Sequence, residues 1–148
     1  MTHHPVLHVV SKLLIPAILL FALYVQFHGD FGPGGGFQAG VIFAAGIILY
    51  GLIHGVAATR AVLPPLLFRT LTALGVLLFA GVGIAAIGLG GNFLDYDALA
   101  HERLHGQHRG ILLIELGVGV TVASVMVVVF LAFAGRRLEG GDEEVEGE

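Results

Sequence analysis

The sequence predicts an all-α integral membrane protein with four transmembrane helices and both termini on the cytoplasmic side. Mean hydropathy is +0.91. Charged residues make up 12% of the 148 residues, about half the share that is typical of soluble domains. Four apolar stretches are each long enough to cross a hydrocarbon layer of about 30 Å. A chain of this length favours one domain, so we expect a single membrane domain over residues 1–138 and an acidic tail over 139–148.

The first predicted span covers residues 6–27. No small-residue cleavage site follows it, so we interpret it as a retained helix rather than a signal peptide. Pro16 inside it should kink the helix, which membrane helices tolerate when neighbours satisfy the freed carbonyl group. A glycine-rich break over residues 28–36 comes next. Pro33 fixes its own φ and three consecutive glycines follow it, which indicates a sharp turn between two membrane helices.

The second predicted span covers residues 37–58. Two pairs of glycines four residues apart have the spacing that lets another helix backbone approach: Gly36 with Gly40, and Gly51 with Gly55. The two prolines at positions 64 and 65 block continuation of the helix. We therefore expect a short turn and then a third span over residues 69–89.

The longest polar segment covers residues 90–109. It contains a possible short helix over residues 98–105, closed by Gly106. The fourth predicted span covers residues 110–134 and should stop at the two arginines that follow it. The acidic tail has almost nothing to bury, so disorder is expected there.

The distribution of basic residues predicts the orientation, because Lys and Arg near the spans are enriched on the cytoplasmic side. Two fall on one side of the predicted spans, namely Arg103 and Arg109. Five fall on the other, namely Lys12, Arg60, Arg69, Arg136 and Arg137. Both termini are therefore expected in the cytoplasm, with the glycine-rich break facing outward.

Three titratable residues are candidates for an ion path. Glu115 is the only carboxylate inside a predicted span, and acids at membrane depth are costly and often functional. It could relay protons or cations; the alternative is a shallow carboxylate bound to a neighbouring helix or paired with Arg109. His28 and His54 could pass protons, because imidazole titrates near physiological pH. A hydrogen-bonded interfacial imidazole is the simpler interpretation of His54, which should lie alone at its depth.

Several other classes are not supported by the sequence. His101, His105 and His108 would share one helix face, but Gly106 and Gly110 should interrupt that helix, and closed zinc sites need four ligands. We therefore predict no metal site and no cofactor, including a haem. The glycine-rich break lacks the Gly-Lys-Ser/Thr ending of phosphate loops. Paired catalytic carboxylates, a Ser/His/Asp set and a basic nucleic-acid surface are also lacking, so the chain is not predicted to be an enzyme or to bind nucleic acid.

The run Pro-Gly-Gly-Gly-Phe-Gln-Ala-Gly after the first span and His28 resembles a family signature. It is similar to the motif of the B subunit of Mrp-type multi-subunit sodium/proton antiporters. The similarity in length, span number and motif position covers residues 6 to about 134. The motif and structural positions carried over are Pro33, Gly34, Gly35, Gly36, Phe37, Gln38 and Gly40.

The resemblance implies a subunit of a large assembly in the bacterial inner membrane that exchanges Na⁺ for H⁺. Its implied partners are subunits of the A, C, D, E, F and G types and membrane lipid, and the main proton channels would belong to A and D. This chain would then pack against other subunits, with or without lining the ion path. Two alternatives stay open: a structural subunit of a related ion-translocating hydrogenase, and a small exporter that uses Glu115.

Overall fold

The computed structural model describes residues 5–29, 34–95 and 103–143. These residues form five helices: α1 (Pro5–His28), α2 (Gly36–His54), α3 (Val56–Val62), α4 (Pro65–Gly88) and α5 (Arg103–Glu143). Helices α1, α2, α4 and α5 each contain a stretch that is long and apolar enough to cross a membrane. The predicted all-α class and the predicted number of spans are therefore confirmed.

The long helices pack in the order α1, α2, α5, α4. Helix α1 packs mainly on α2, α2 packs on both α1 and α5, and α4 packs on α5. Most of the α1 surface faces outward, since only 11% of its apolar window is buried. A cluster of buried apolar side chains joins the two central helices, α2 and α5, to α4: Ala44, Ile47, Phe68, Val127 and Leu131.

Glycines bring the backbones of the central helices into direct contact. A Cβ atom added to Gly40 would lie 2.6 Å from the carbonyl oxygen of Gly119, so α2 and α5 touch there without side chains between them. Gly75 makes the same kind of approach between α4 and α5, where a Cβ atom would lie 2.8 Å from the carbonyl oxygen of Gly117. The bundle is thus held by close backbone packing, as expected for membrane helices rich in small residues.

The two predicted glycine pairs behave differently. Gly36, Gly40 and Gly51 all lie against α5, which confirms the prediction for three of the four positions. The prediction is wrong for Gly55, because a Cβ atom there would meet nothing within 4 Å. Gly55 instead ends α2, with φ +90°, and its N–H donates to the carbonyl oxygen of Gly51 at 3.0 Å.

The second span therefore stops at His54, four residues before the predicted end, and α3 follows as a separate short helix. Arg60 fixes α3 to the bundle because its Nη2 donates to the backbone carbonyl oxygen of Leu131 on α5 at 3.1 Å. The same nitrogen packs against Gly135, where any side chain would collide with it. Helix α4 starts at Pro65 rather than at residue 69, because proline fits the first turn of a helix, where its missing N–H is not needed.

Helix α5 is much longer than the predicted span over residues 110–134. It begins at Arg103 and continues through Gly106 and Gly110, so the predicted interruption at these glycines is wrong. Each glycine costs about 1 kcal/mol relative to alanine, a modest penalty in a 41-residue helix that packs on two neighbours. The helix also continues past the arginines to Glu143 and so includes the first part of the acidic tail. Residues 144–148 lie outside the described residues, and so do residues 98–102, the first part of the short helix predicted over 98–105.

Candidate ion site at the glycine turn

Glu115 lies against the connection between α1 and α2. A Cβ atom added to Gly29 would lie 2.8 Å from Oε2 of Glu115, and one added to Gly35 would lie 3.2 Å from Oε1. At Gly36 a Cβ atom would overlap the backbone carbonyl group of Glu115 itself. We call Gly29, Gly34, Gly35 and Gly36 the glycine turn. Gly29, Gly35 and Gly36 lie against Glu115, whereas Gly34 lies against Val25 of α1. Gly36 leaves no room for a side chain, because its neighbour there is the backbone of Glu115.

The start of α2 gives this carboxylate a favourable electrostatic environment. Gly35 is the N-cap residue of α2, with φ +135°, and its carbonyl oxygen accepts the helix hydrogen bond from the N–H of Ala39 at 3.0 Å. The first N–H groups of a helix have no partner within the helix and carry partial positive charge. The half-buried side chain of Glu115 therefore lies where a negative charge is stabilised.

Of the other motif residues, one packs on α5 and two are exposed. Gly40 packs on α5, whereas Phe37 is 63% exposed and Gln38 is exposed as well. An aromatic and an amide side chain thus point away from the bundle at the first turn of α2. Pro33 lies outside the described residues.

His28 lies at the same end of the bundle, one residue before the glycine turn. Its ring stacks on Tyr24 of the same helix, with ring centres 5.0 Å apart and an interplanar angle of 16°. The side chain is exposed. The structure thus brings Glu115 together with the glycine turn and places His28 beside them on the outer surface of α1.

His54 lies at the opposite end of α2, about 27 Å from the glycine turn at 1.5 Å per residue. It does not belong to the Glu115 site. The prediction that it is alone at its depth is wrong, because the ring of His8 on α1 lies 5.2 Å away, centre to centre. The i, i+4 spacing of His4 and His8 could not reveal this contact, since it joins two different helices.

Gln26 is a buried polar residue within α1 that no motif in the sequence marks. It is 6% exposed, and its Nε2 has no hydrogen-bond partner among the described residues. Its Oε1 lies against Gly119, where a Cβ atom would come within 2.5 Å of it. The only signal in the sequence is a glutamine one residue before the end of the span predicted over residues 6–27.

A cavity of about 280 Å³ opens beside Gln26, between α1 and α4, and residues of α2 and α5 complete its lining. Its walls are almost entirely apolar, and Ser124 is the other polar side chain on them. The lining includes Ala22, Phe43, Phe68 and Val120. The cavity has the character of a lipid-facing or side-chain-filled cleft rather than of an aqueous ion route.

Of the three histidines predicted to share one helix face, only His108 has its side chain among the described residues. Within the part of the chain that the structure describes, no group of three or more His, Cys, Asp or Glu side chains could hold a metal ion. His108 is exposed on α5, seven residues before Glu115. His101 lies outside the described residues.

Comparisons with known proteins show which family the chain resembles. Residues 6–128 match the family model described as a domain related to the MnhB subunit of Na⁺/H⁺ antiporters. A protein of Staphylococcus haemolyticus named antiporter subunit mnhB2 is 36% identical over 135 residues, which cover 89% of this chain and 95% of that protein. The protein of the same name from Staphylococcus aureus strain Newman has the same identity and coverage. The matched region includes the glycine turn and Glu115.

Proposed function

The chain belongs to the family of MnhB subunits of Na⁺/H⁺ antiporters, and from this premise we propose that Glu115 and the glycine turn border the ion path of a multi-subunit antiporter. The names of its relatives support the role of an antiporter subunit. Glu115 is the only acidic residue within the four candidate spans. Exchange of two ions generally uses several coupled ionisable groups, so this chain works with other subunits rather than alone.

The observation that supports the ion-path role is the enclosure of the Glu115 carboxylate by backbone. A carboxylate can bind a proton or a monovalent cation. When neither is bound, the start of α2 stabilises the negative charge of the carboxylate. The described part of the turn approaches Glu115 through glycines, at Gly29, Gly35 and Gly36.

The position of Glu115 along the bundle favours a role in ion capture or release. Helix α2 has 19 residues, or about 29 Å at 1.5 Å per residue, which matches a hydrocarbon layer of about 30 Å. Glu115 lies beside the first residue of this helix and therefore near one edge of the layer. We place it at the mouth of a path whose central part is formed by other subunits.

We place the protein in the bacterial plasma membrane as a multi-pass subunit that contacts antiporter subunits of the A, C, D, E, F and G types. Two features support a location among other membrane helices: the apolar surface of α1 and the exposed side chain of Phe37. The basic residues Lys12, Arg60, Arg69 and Arg136 belong to the half of the bundle opposite the glycine turn, which favours cytoplasmic termini.

The test is the variant Glu115→Gln in the assembled complex, with Na⁺-dependent proton movement measured in inside-out membrane vesicles. Glutamine keeps the size of the side chain but can neither bind a proton at the carboxylate nor attract a cation, so we expect exchange to fall at least tenfold while the subunits stay associated. The matched control is Asp95→Asn, which removes an acid beyond the end of α4 and should leave exchange unchanged. Full exchange in Glu115→Gln at every pH and sodium concentration would remove Glu115 from the path.

A further inference from the structure

The amide of Gln26 and the apolar cavity beside it form one site. Gln26 is 6% exposed, and its Nε2 donor has no hydrogen-bond partner among the described residues. The side chain lies on the wall of the cavity of about 280 Å³. Leaving a buried donor unpaired is costly, so the molecule that occupies this cavity should bring a hydrogen-bond acceptor to Gln26.

The cavity spans the depth of one membrane leaflet. Helix α2 begins at Gly36 and, with 19 residues, has about the length of the hydrocarbon layer. Its lining residues run from Ala39 to Phe43, which is from about one helical turn inside the edge of the layer almost to the midpoint of the helix. Those of α5 run from Leu116 to Ser124, or about 12 Å at 1.5 Å per residue. This length approaches half of a layer of about 30 Å.

The Gln26 amide lies at the end of the cavity that is nearer the glycine turn. A Cβ atom added to Gly119 would lie 2.5 Å from Oε1 of Gln26 and 3.1 Å from the carbonyl oxygen of Gly36. The amide is therefore close to the first residue of α2, near the edge of the hydrocarbon layer. The ester carbonyl groups of phospholipids lie at this boundary between headgroups and acyl chains.

Two other occupants fit the cavity less well. A buried water needs about 2–4 polar partners, whereas Ser124, the other polar side chain on the wall, lies about 7.5 Å further along α5 than Gly119 at 1.5 Å per residue. A helix of a neighbouring subunit uses its backbone carbonyl groups in its own hydrogen bonds, so it could reach Gln26 only through a polar side chain. The acyl end of a phospholipid combines an apolar chain with an ester carbonyl acceptor and carries no donor.

We propose that the cavity binds one acyl chain of a membrane phospholipid, whose ester carbonyl oxygen accepts a hydrogen bond from Nε2 of Gln26. The cavity volume lies near the lower end of the range for small-molecule pockets, about 300–1,000 Å³, which suits one chain rather than a whole lipid. None of the described residues on the wall is charged, so the site recognises the ester and the chain and not the headgroup. The bound chain fills the cleft between α1 and α4. This site does not depend on the role of Glu115.

The test uses the complex of all subunits, purified in detergent and freed of endogenous phospholipid. Synthetic phospholipids with the same headgroup and the same chains, linked by either ester or ether bonds, are added over a range of concentrations. Native mass spectrometry counts the lipid molecules bound to each complex. The ether lipid lacks the carbonyl acceptors, so we expect the wild type to bind one ester lipid about two- to tenfold more tightly than the ether lipid, as one neutral hydrogen bond contributes.

Three variants separate the hydrogen bond from the shape of the cavity. Gln26→Met keeps the approximate size of the side chain but removes the donor, so it should bind the ester lipid about two- to tenfold more weakly and should not distinguish the two linkages. Ala123→Leu puts a larger side chain on the wall and should bind neither lipid at this site. The matched control is Gln38→Met, the same substitution at an exposed glutamine in the first turn of α2, which should keep the wild-type preference.

Melting of the lipid-free complex reports whether each variant folds, and Gln26→Met should melt there at or above the wild type because its unpaired donor is gone. Exchanging phosphatidylethanolamine for phosphatidylglycerol should leave the ester preference unchanged. Equal binding of the two linkages by the wild type would overturn the proposal, as would an unchanged ester preference in Gln26→Met. Loss of a neighbouring subunit from lipid-free Gln26→Met would also overturn it, because the amide would then bind that subunit.

Discussion

Replacing Gly36 by alanine tests the close contact between the glycine turn and α5. In the structure the new methyl group would lie 2.7 Å from the carbonyl carbon of Glu115 and 2.9 Å from its Cα, and it would overlap the carbonyl oxygen. Favourable contacts between carbon atoms begin near 3.5 Å. The partner atoms are backbone and cannot rotate away, so α2 and α5 must separate by roughly 1 Å.

The expected cost follows from two opposing effects. Overpacking of a tight contact costs about 1–3 kcal/mol, and the better helix propensity of alanine returns at most about 1 kcal/mol. The net loss of about 1–2 kcal/mol corresponds to a roughly 5- to 30-fold shift in the folded-to-unfolded ratio. We expect a lower melting temperature of the complex in detergent and less of this chain retained in it.

Gly81→Ala is the matched control. Gly81 is an exposed residue of α4, and a Cβ atom there would meet nothing within 4 Å. Alanine should therefore stabilise this helix by up to about 1 kcal/mol. The same Gly→Ala substitution is thus expected to stabilise the protein at position 81 and to destabilise it at position 36. The packing argument is refuted if Gly36→Ala melts and assembles as Gly81→Ala does.

Three further substitutions test other contacts by thermal melting of the complex. Gln26→Met should leave stability unchanged or raise it, because a buried donor without a partner costs about 1–3 kcal/mol; a clear loss would mean that the amide is bound in the assembly. Arg60→Ala should cost about 1 kcal/mol through the lost hydrogen bond to Leu131, whereas Arg69→Ala, an exposed arginine of α4, should cost less. Gly55→Ala should cost about 1–3 kcal/mol through backbone strain alone, because open space surrounds the new methyl group; an unchanged melting temperature would show that the chain relaxes there.

The spans were predictable from the sequence because their apolar lengths follow directly from the thickness of a bilayer. Their ends were less predictable. Gly55 was interpreted as a packing residue from its spacing, whereas it adopts a positive φ that ends α2. The sequence predicts a break of α5 at Gly106 and Gly110, but the packing of the long helix on α2 and α4 outweighs their low helix propensity.

The sequence identifies the residues of the candidate site but not the contact between them. Glu115 is conspicuous as an acid inside a span, and the glycine-rich break is conspicuous by composition. Nothing in the sequence places them together, since Glu115 lies 79 positions after Gly36. The same limit applies to His8 and His54. Helix periodicity reports neighbours on one helix, and both contacts join residues on different helices.

The length of α5 has a mechanical consequence. Its 41 residues extend for about 60 Å at 1.5 Å per residue, twice the thickness of the hydrocarbon layer. The helix therefore acts as a stiff strut that projects beyond the bilayer while holding Glu115 along its length. Because Gly36, Gly40 and Gly75 hold the α5 backbone against α2 and α4, a force on the projecting end of α5 would act on the whole bundle rather than on α5 alone.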